Sequence, residues 1–442
     1  MEKLVLPYLY GRQKNKVNSS KTKVLIISYY WPPSGGSGVQ RWMYFAKYLK
    51  EFNHEPIVIT VDENQASYPV LDPSLINEVK GIRVIKTNTR EPLKLYSRLI
   101  SGKSNIGIPQ GEVNTKSFFG KIAAYIRGNF YIPDARKGWI PFVVEAANKI
   151  LQEEKISFLI TTGPPHSSHL SGIRLKEKFD LNWWVDFRDP WGEVFYNKQM
   201  FRSKKSNNKD AQFEKIVLEK ASGVITTIGG DFHKNLLRKN PQKKVISIPN
   251  GFDEELILKT KSAPKKKGFH IVYTGLLTQN QSYLKPLEII NDFSKKYEIN
   301  FSIAGNIKPT IISEIKKTLC NVNVDFLGYI SHEYSVALIK SADLLLNFIF
   351  KGGESDMISG KLLEYMATEV PIISIGDPNS EAARFLNSGS HAWMINENSI
   401  SIMKKHLKSL LEQKIKLINK TPNIENWGRR MLTQRLIKEV LT

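Results

Sequence analysis

The chain reads as α/β, with two doubly wound, Rossmann-like domains in tandem facing one interdomain cleft. Three observations lead there. At 442 residues it exceeds one ordinary hydrophobic core. Buried-strand and helical patterns alternate along nearly all of it, as in parallel sheets covered on both faces. One polar, basic, proline-containing stretch, 259–268 (KTKSAPKKKG), interrupts the alternation and has linker composition.

The opening 1–22 is expected to be a poorly ordered extension, since MEKLVLPYLYGRQKNK has a short apolar patch but no signal-peptide architecture. The first domain, 23–258, starts with a β-rich run at 23–30 (KVLIISYY). A helix over 39–51 follows, its apolar residues Trp42, Phe45, Tyr48 and Leu49 falling close to helical spacing. Further strands are predicted at 56–61, 158–162, 183–187, 223–227 and 245–248, with helices at 143–154 and 211–221. After the linker, the second domain (269–426) has strands at 270–274, 300–304, 324–327, 344–348, 371–375 and 392–395. Helices at 284–297, 309–319, 333–341, 361–368 and 381–386 lie between them. The segment 427–442 is amphipathic. Ligands of such sheets bind outside the carboxyl ends of the strands, so two such domains facing each other make a deep cleft.

Hydrophobic residues make up 41% and charged residues 24% of the chain, ordinary values for a globular protein. The single cysteine, Cys320, excludes an internal disulfide framework and fits a reducing, cytoplasmic setting. No apolar run reaches the roughly 20 residues that span a bilayer. The net charge of +22 gathers in 198–209, 234–244 and 259–267. Solvated loops, anionic lipid, phosphorylated substrates and nucleic acid all accommodate it. No zinc-finger spacing, RNP-like motif or helix-turn-helix supports nucleic acid as a partner.

Five segments carry candidate chemistry. The loop WPPSGGSGVQ (31–40) joins the first strand to the first helix. Gly35, Gly36 and Gly38 permit positive φ and close approach of an anion, although a bare tight turn needs nothing more. With Asp62 it also hints at a dinucleotide fingerprint, but Arg41 stands where the third glycine belongs. TTGPPHSSH (161–169) places His166 at a strand's carboxyl end, as a catalytic or a structural residue. VDFRDPW (185–191) carries Asp186, Arg188 and Asp189, which either face the cleft or form an internal ion pair that holds the loop and orients His166. IPNGF (248–252) is a tight turn entering the linker. In DMISGKLLEYMATEVPIISIG (356–376), Ser359-Gly360 opens a helix whose free N–H groups suit a phosphate. Asp356, Lys361 and Glu364 are charges beside an otherwise apolar helix and strand, which suits a ligand with phosphate and hydroxyl groups.

Together these segments resemble a GT-B glycosyltransferase, similar to the family 4 retaining enzymes of bacterial surface-polysaccharide synthesis, from about residue 23 onward. YYWPPSGGSGVQR looks like the family's glycine-rich loop, and TTGPPHSSH and DFRDPW are similar to motifs of one bacterial subgroup. IPNGF resembles its Pro-Asn-Gly turn, and Asp356 and Glu364 take the two positions of its Glu-seven-residues-Glu motif. The resemblance implies a nucleotide-sugar donor bound mainly by the second domain. Glu364 would take the ribose hydroxyls. Asp356, Met357, Ile358, Ser359, Gly360 and Lys361, with Gly275, would contact donor sugar and diphosphate. Gly35, Gly36 and Gly38 would close from the other side. His166, Arg188 and Asp189 would orient the acceptor or the donor sugar. No cofactor, metal or protein nucleophile is implied. The acceptor is expected to be a saccharide or a polyprenyl-diphosphate-linked sugar, with basic residues docking the enzyme on the anionic inner membrane face.

Two departures stand out. The first acidic position is Asp, one methylene shorter than Glu. Where the family has an Arg and then a Lys after the first strand of the second domain, this chain has Leu276 in TGLLTQNQSYLKP. Lys285, Lys361 and Arg41 are candidate replacements. A catalytically inert GT-B binding protein of a polysaccharide assembly complex and a nucleotide-sugar epimerase are the alternative readings.

Overall fold

The first strand-forming run, TKVLII, and the last of the second domain, AWMI, belong to two separate parallel sheets. The computed structural model describes residues 21–91, 118–192, 200–351, 358–413, 421 and 423–442. The first sheet holds β1 (Thr22–Ile27), β2 (His54–Val61), β3 (Arg83–Thr87), β4 (Phe158–Gly163), β5 (Asn182–Phe187), β6 (Gly223–Thr226) and β7 (Lys244–Ser247). The second holds β8 (Phe269–Thr274), β9 (Ile299–Ala304), β10 (Asn323–Gly328), β11 (Leu344–Phe348), β12 (Ile372–Ile375) and β13 (Ala392–Ile395).

The intervening helices of the first domain are α1 (Ser37–Glu51), α2 (Phe118–Phe130), α3 (Ile140–Glu153), α4 (Ser167–Lys178), α5 (Lys204–Lys220) and α6 (Gly230–Lys239). Those that follow are α7 (Glu254–Lys259), α8 (Leu284–Ser294), α9 (Pro309–Thr318), α10 (His332–Ser341), α11 (Gly360–Thr368), α12 (Glu381–Leu386), α13 (Ser401–Leu411) and α14 (Arg429–Val440).

The strand orders are β3-β2-β1-β4-β5-β6-β7 and β10-β9-β8-β11-β12-β13. Each order reverses once, between β1 and β4 and between β8 and β11. These switch points are where doubly wound sheets open a ligand crevice. The central strands are apolar on both faces because helices cover both: Val24, Leu25, Ile26 and Ile27 are all buried. Edge strand β3, RVIKT, is only half-buried and mixes polar with apolar residues, so it carries no apolar run to signal it.

α14 leaves the second domain and packs on α1 of the first. Its Leu432, Leu436 and Val440 join a core with Trp42, Phe45 and Leu49. The chain therefore crosses between domains twice, and the two crossings touch. The Phe252 N–H donates to the Trp427 carbonyl (3.1 Å), and the Arg429 N–H donates to the Phe252 carbonyl (2.9 Å). Gly251 sits at this crossing with φ +69°, and a Cβ there would lie 2.7 Å from Leu432 Cδ1 and 2.8 Å from the Trp427 carbonyl oxygen. Both the conformation and the space require glycine. α7, capped by Asp253, then packs through Ile257 into the second domain's core.

Arg41 is not a cleft-facing cation. It is buried and paired with Asp186 (Nη2–Oδ1 2.8 Å), and its Nη1 donates to the carbonyls of Ile248 (2.8 Å) and Pro249 (3.0 Å). Asp186 also accepts from Trp42 Nε1 (2.6 Å) and Thr162 Oγ1 (2.7 Å). The ion pair expected inside VDFRDPW thus forms with an arginine outside that motif. Asp62 caps the turn after β2, accepting from the Asn64 N–H at 2.8 Å.

Arg41→Met leaves the Asp186 carboxylate buried without its cation. It should cost about 3–5 kcal/mol in urea-denaturation experiments. The double variant Arg41→Met/Asp186→Leu should recover a measurable part of that loss.

Candidate active site

The glycine loop after β1 is fixed from behind. The Gly35 N–H donates to the Val70 carbonyl (2.9 Å), and a Cβ on Gly35 would lie 3.1 Å from Asp72 Cβ and from Tyr329 Oη. Gly38 backs onto Arg188, whose Nη1 would lie 2.8 Å from an added Cβ. Only Gly36, at φ +89°, faces open space. It stands at the N-cap of α1, where no side chain caps the helix and no acid occupies the first turn. That opening suits an anion.

His166 ends the loop after β4 and is buried. Its ring stacks on Trp191 (centroids 4.8 Å apart, planes at 19°) and meets Phe187 edge-on. Among the described residues neither ring nitrogen makes a well-formed hydrogen bond. Burial, with the nearby Arg188 charge, lowers its pKa to about 3, so the ring is neutral at physiological pH. His169 receives or donates a hydrogen bond at Thr161 Oγ1 (2.8 Å). Gly163 is the gap between the two rings: a Cβ there would lie 2.6 Å from His169 Nε2 and 2.8 Å from His166 Nδ1. Asp134 holds the start of α4, accepting from the Ser167 N–H and hydroxyl, both at 2.8 Å.

Arg188 is a staple between loops. Its guanidinium donates to the carbonyls of Gly38 and Pro164, and its Nε to that of Gly163 at 3.3 Å. It joins the glycine loop to the GPPH loop and so positions His166 from behind. Asp189, half-buried beside it, has a pKa raised by burial, with Arg188 opposing that shift.

Across the cleft, Gly275 follows β8 at φ +109°, where an added Cβ would lie 3.4 Å from Lys361 Cδ and 3.7 Å from its Nζ. Lys361 is held by one aromatic ring: Nζ is 2.9 Å from Tyr273 Oη and 4.0 Å from the ring centroid. Burial lowers its pKa to about 7. Ser359 is the N-cap of α11 but makes no side-chain cap bond, and space is open at Gly360. One turn on, Glu364 Oε1 lies 2.6 Å from His332 Nε2. Burial would raise the Glu364 pKa, but His332 and Arg429 outweigh it and the net shift is downward. Ile358, before this helix, packs against cores of both domains. Asp356 and Met357 lie outside the described residues.

Of the candidate replacement cations, Lys285 is exposed, as is Leu276. Lys361 is the ammonium that reaches the Gly275 turn. His332, Asp72 and Tyr329 were missed by sequence reasoning. Tyr329 Oη donates to Asp72 Oδ2 (3.0 Å), bonding the two domains directly across the cleft. His332 carried the signal that singled out His166, a histidine where a strand's carboxyl end meets a helix. Among the described residues, no three His, Cys, Asp or Glu side chains gather as a metal site would require.

Residues 254–429 match the family model described as glycosyl transferases group 1. A search of curated proteins finds no significant match. Several solved structures are similar along nearly the whole chain. Sucrose-phosphate synthase from Thermosynechococcus elongatus superposes with a TM-score of 0.64 at 14% identity, covering 95% of this chain and 98% of that one. Anabaena HepE in complex with UDP gives 0.60 at 12% identity, covering 94% and 99%. The pneumococcal O-GlcNAc transferase GtfA, in complex with UDP and GlcNAc, gives 0.59 at 12%, covering 96% and 99%. At such identities the likeness establishes the fold, which is GT-B.

The histidines make an acid-sensitivity test. His166 binds its proton at about pH 3 when folded and near 6.5 when unfolded, so between those values the unfolded chain holds more protons. Stability should fall on acidification through that window, by up to about 1.4 kcal/mol per pH unit for this group. Denaturant midpoints of His166→Phe, which keeps a ring against Trp191, should depend less steeply on pH than those of the parent.

Proposed function

We propose that this chain, whose residues 254–429 carry a group 1 glycosyl transferase domain within a GT-B frame, moves a sugar from a nucleotide-sugar to a saccharide or lipid-linked acceptor. The reading extends to retention of anomeric configuration, independence of metal, and a role in surface-polysaccharide synthesis. One observation carries it. Lys361 and Glu364 share the opening turns of α11, a half-buried cation and a buried carboxylate beside the Gly275 turn, with the Gly36 opening on the other domain. A nucleotide-sugar has the matching groups, a diphosphate followed at fixed distance by ribose hydroxyls. UDP in the HepE and GtfA structures supports the same donor class.

In this reading the diphosphate lies between the uncapped start of α11, Lys361 and the N-terminus of α1. Glu364, oriented by His332, accepts from the ribose. Asp356 and Met357 contact the donor sugar, as the resemblance implies. The acceptor enters on the His166–Asp189 side, as the resemblance implies, with the buried His166 ring shaping the wall behind it. The acceptor oxygen bonds to the anomeric carbon as the bond from that carbon to the phosphate oxygen breaks. The acceptor's proton passes to the departing phosphate, and both events occur on one face of the sugar. The protein contributes positioning and charge stabilisation.

The exposed Leu276 favours one alternative, a protein that binds nucleotide-sugar without turnover. Thermal stabilisation by a nucleotide-sugar, with no nucleotide release in the presence of acceptor extracts, would select it.

A thermal-shift screen across UDP-, GDP-, ADP- and dTDP-sugars should identify one responding base, and Glu364→Ala should lose most of that response. A full response in the variant would remove Glu364 from the site. Lys361 adds a proton signature. A bound diphosphate places an anion beside it and raises its pKa from about 7. Calorimetry should therefore show proton uptake on binding, and affinity should weaken above about pH 7 by up to about tenfold per unit. Lys361→Met should abolish both effects.

A further inference from the structure

α2 is amphipathic in the reverse sense. The face it turns inward is small: Ala124 is buried, and Gly128 lies so close to residue 200 that a Cβ would come within 2.4 Å of the Met200 carbonyl oxygen. Its large apolar residues face outward. Ile122 (41% exposed), Tyr125 (49%), Ile126 (42%) and Phe130 (65%) follow the i, i+3, i+4, i+8 spacing of a single helical stripe. Phe201 extends the stripe. It is exposed, has φ +47°, which bulky residues seldom adopt, and its carbonyl accepts from Asn129 Nδ2 (3.1 Å). A contiguous apolar ridge of this kind needs an occupant.

The charges around it say which. Lys121 on α2 and Lys204, Lys205 and Lys209 on α5 are all exposed. α5 starts against the end of α2, with the Ser203 N–H donating to Asn129 Oδ1 at 2.7 Å. Among the described residues the neighbouring carboxylates are already engaged: Asp134 by Ser167, and Asp210 by Trp191 Nε1 and Arg202. An apolar stripe bordered by unneutralised lysines matches the interface of an anionic bilayer. A two-fold contact with a second copy would set these lysines against their own equivalents.

We propose that α2 and the start of α5 form a membrane-docking surface, with Ile122, Tyr125, Ile126, Phe130 and Phe201 entering the headgroup boundary of an anionic leaflet and the flanking lysines meeting lipid phosphates. The surface also frames His166. Asp134, just beyond α2, holds the start of α4, and Trp191, which stacks on His166, is bonded to Asp210 of α5. Docking here brings the acceptor side of the cleft to the lipid. That last step rests on the glycosyl-transfer reading with a lipid-linked acceptor; the docking itself does not.

The test is flotation of the full chain with vesicles of phosphatidylcholine alone and of phosphatidylcholine with phosphatidylglycerol, at low and high salt. Nucleotide-sugar thermal shifts are measured in parallel, so that failure of docking and failure of the donor reading are separate results. The parent should float with anionic vesicles and less so at high salt. The triple variant Ile122→Ser/Ile126→Ser/Phe130→Ser should partition at least about tenfold less well, with its melting temperature and nucleotide response retained. Phe130→Trp should show a blue-shifted emission with anionic vesicles. The proposal is overturned by a parent that does not float. Flotation indifferent to the triple variant, or an apolar ridge that instead drives self-association in sedimentation experiments, overturns it equally.

Discussion

Asp186 and Arg41 lie inside the first domain, where either charge alone would be costly and where the pair is tolerated because its hydrogen-bonding capacity is used. The carboxylate also takes Trp42 and Thr162, and the guanidinium also takes the carbonyls of 248 and 249. These bonds tie together α1, β4, β5 and the turn by which the chain leaves the domain. Each candidate segment of that domain is an extension of one of them. The glycine loop precedes α1 by a turn, GPPH follows β4, and RDPW follows β5. Arg188 then binds the loops to one another, which makes the cleft wall a rigid unit.

The second domain meets that wall with a different electrostatic arrangement. Lys361 rests on a tyrosine ring with no carboxylate paired to it among the described residues, and Glu364 has a histidine beside it. A cation kept on an aromatic face is less satisfied than one in an ion pair, so it retains attraction for an incoming anion. Glu364, by contrast, is held in place by His332. The two residues sit one turn apart on α11, and this fixes the distance between what each can grip.

The fold was legible because its signals are local: alternating apolar runs, a glycine-rich turn, Pro-Asn-Gly, and a helix opened by Ser-Gly. The candidate site was legible to the same depth, since Gly36, His166, Lys361 and Glu364 stand where strands end or helices begin. What escaped was pairing over distance. Arg41 meets Asp186 145 residues away, and Tyr329 meets Asp72 257 residues away. No periodicity encodes such a match; it exists only once both sheets are built. β3 escaped because an edge strand lacks the burial that makes a strand apolar. Arg188 stayed open between two roles because a charge beside an apolar strand has two solutions, a ligand or partners within the protein, and here its guanidinium donates to backbone carbonyls of two loops.

The two crossings between the domains lie side by side, joined at Phe252, Trp427 and Arg429, while the Asp72–Tyr329 bond spans the cleft itself. Two adjacent strands of chain act mechanically as a door hinge. They resist sliding and separation and leave swing about one line as the soft coordinate. The Asp72–Tyr329 contact is then a latch, formed by two side chains that each belong to one leaf. Its single hydrogen bond is weak enough to open thermally, and Ile358, packed against both cores, is a further contact that the swing must part before a ligand is admitted.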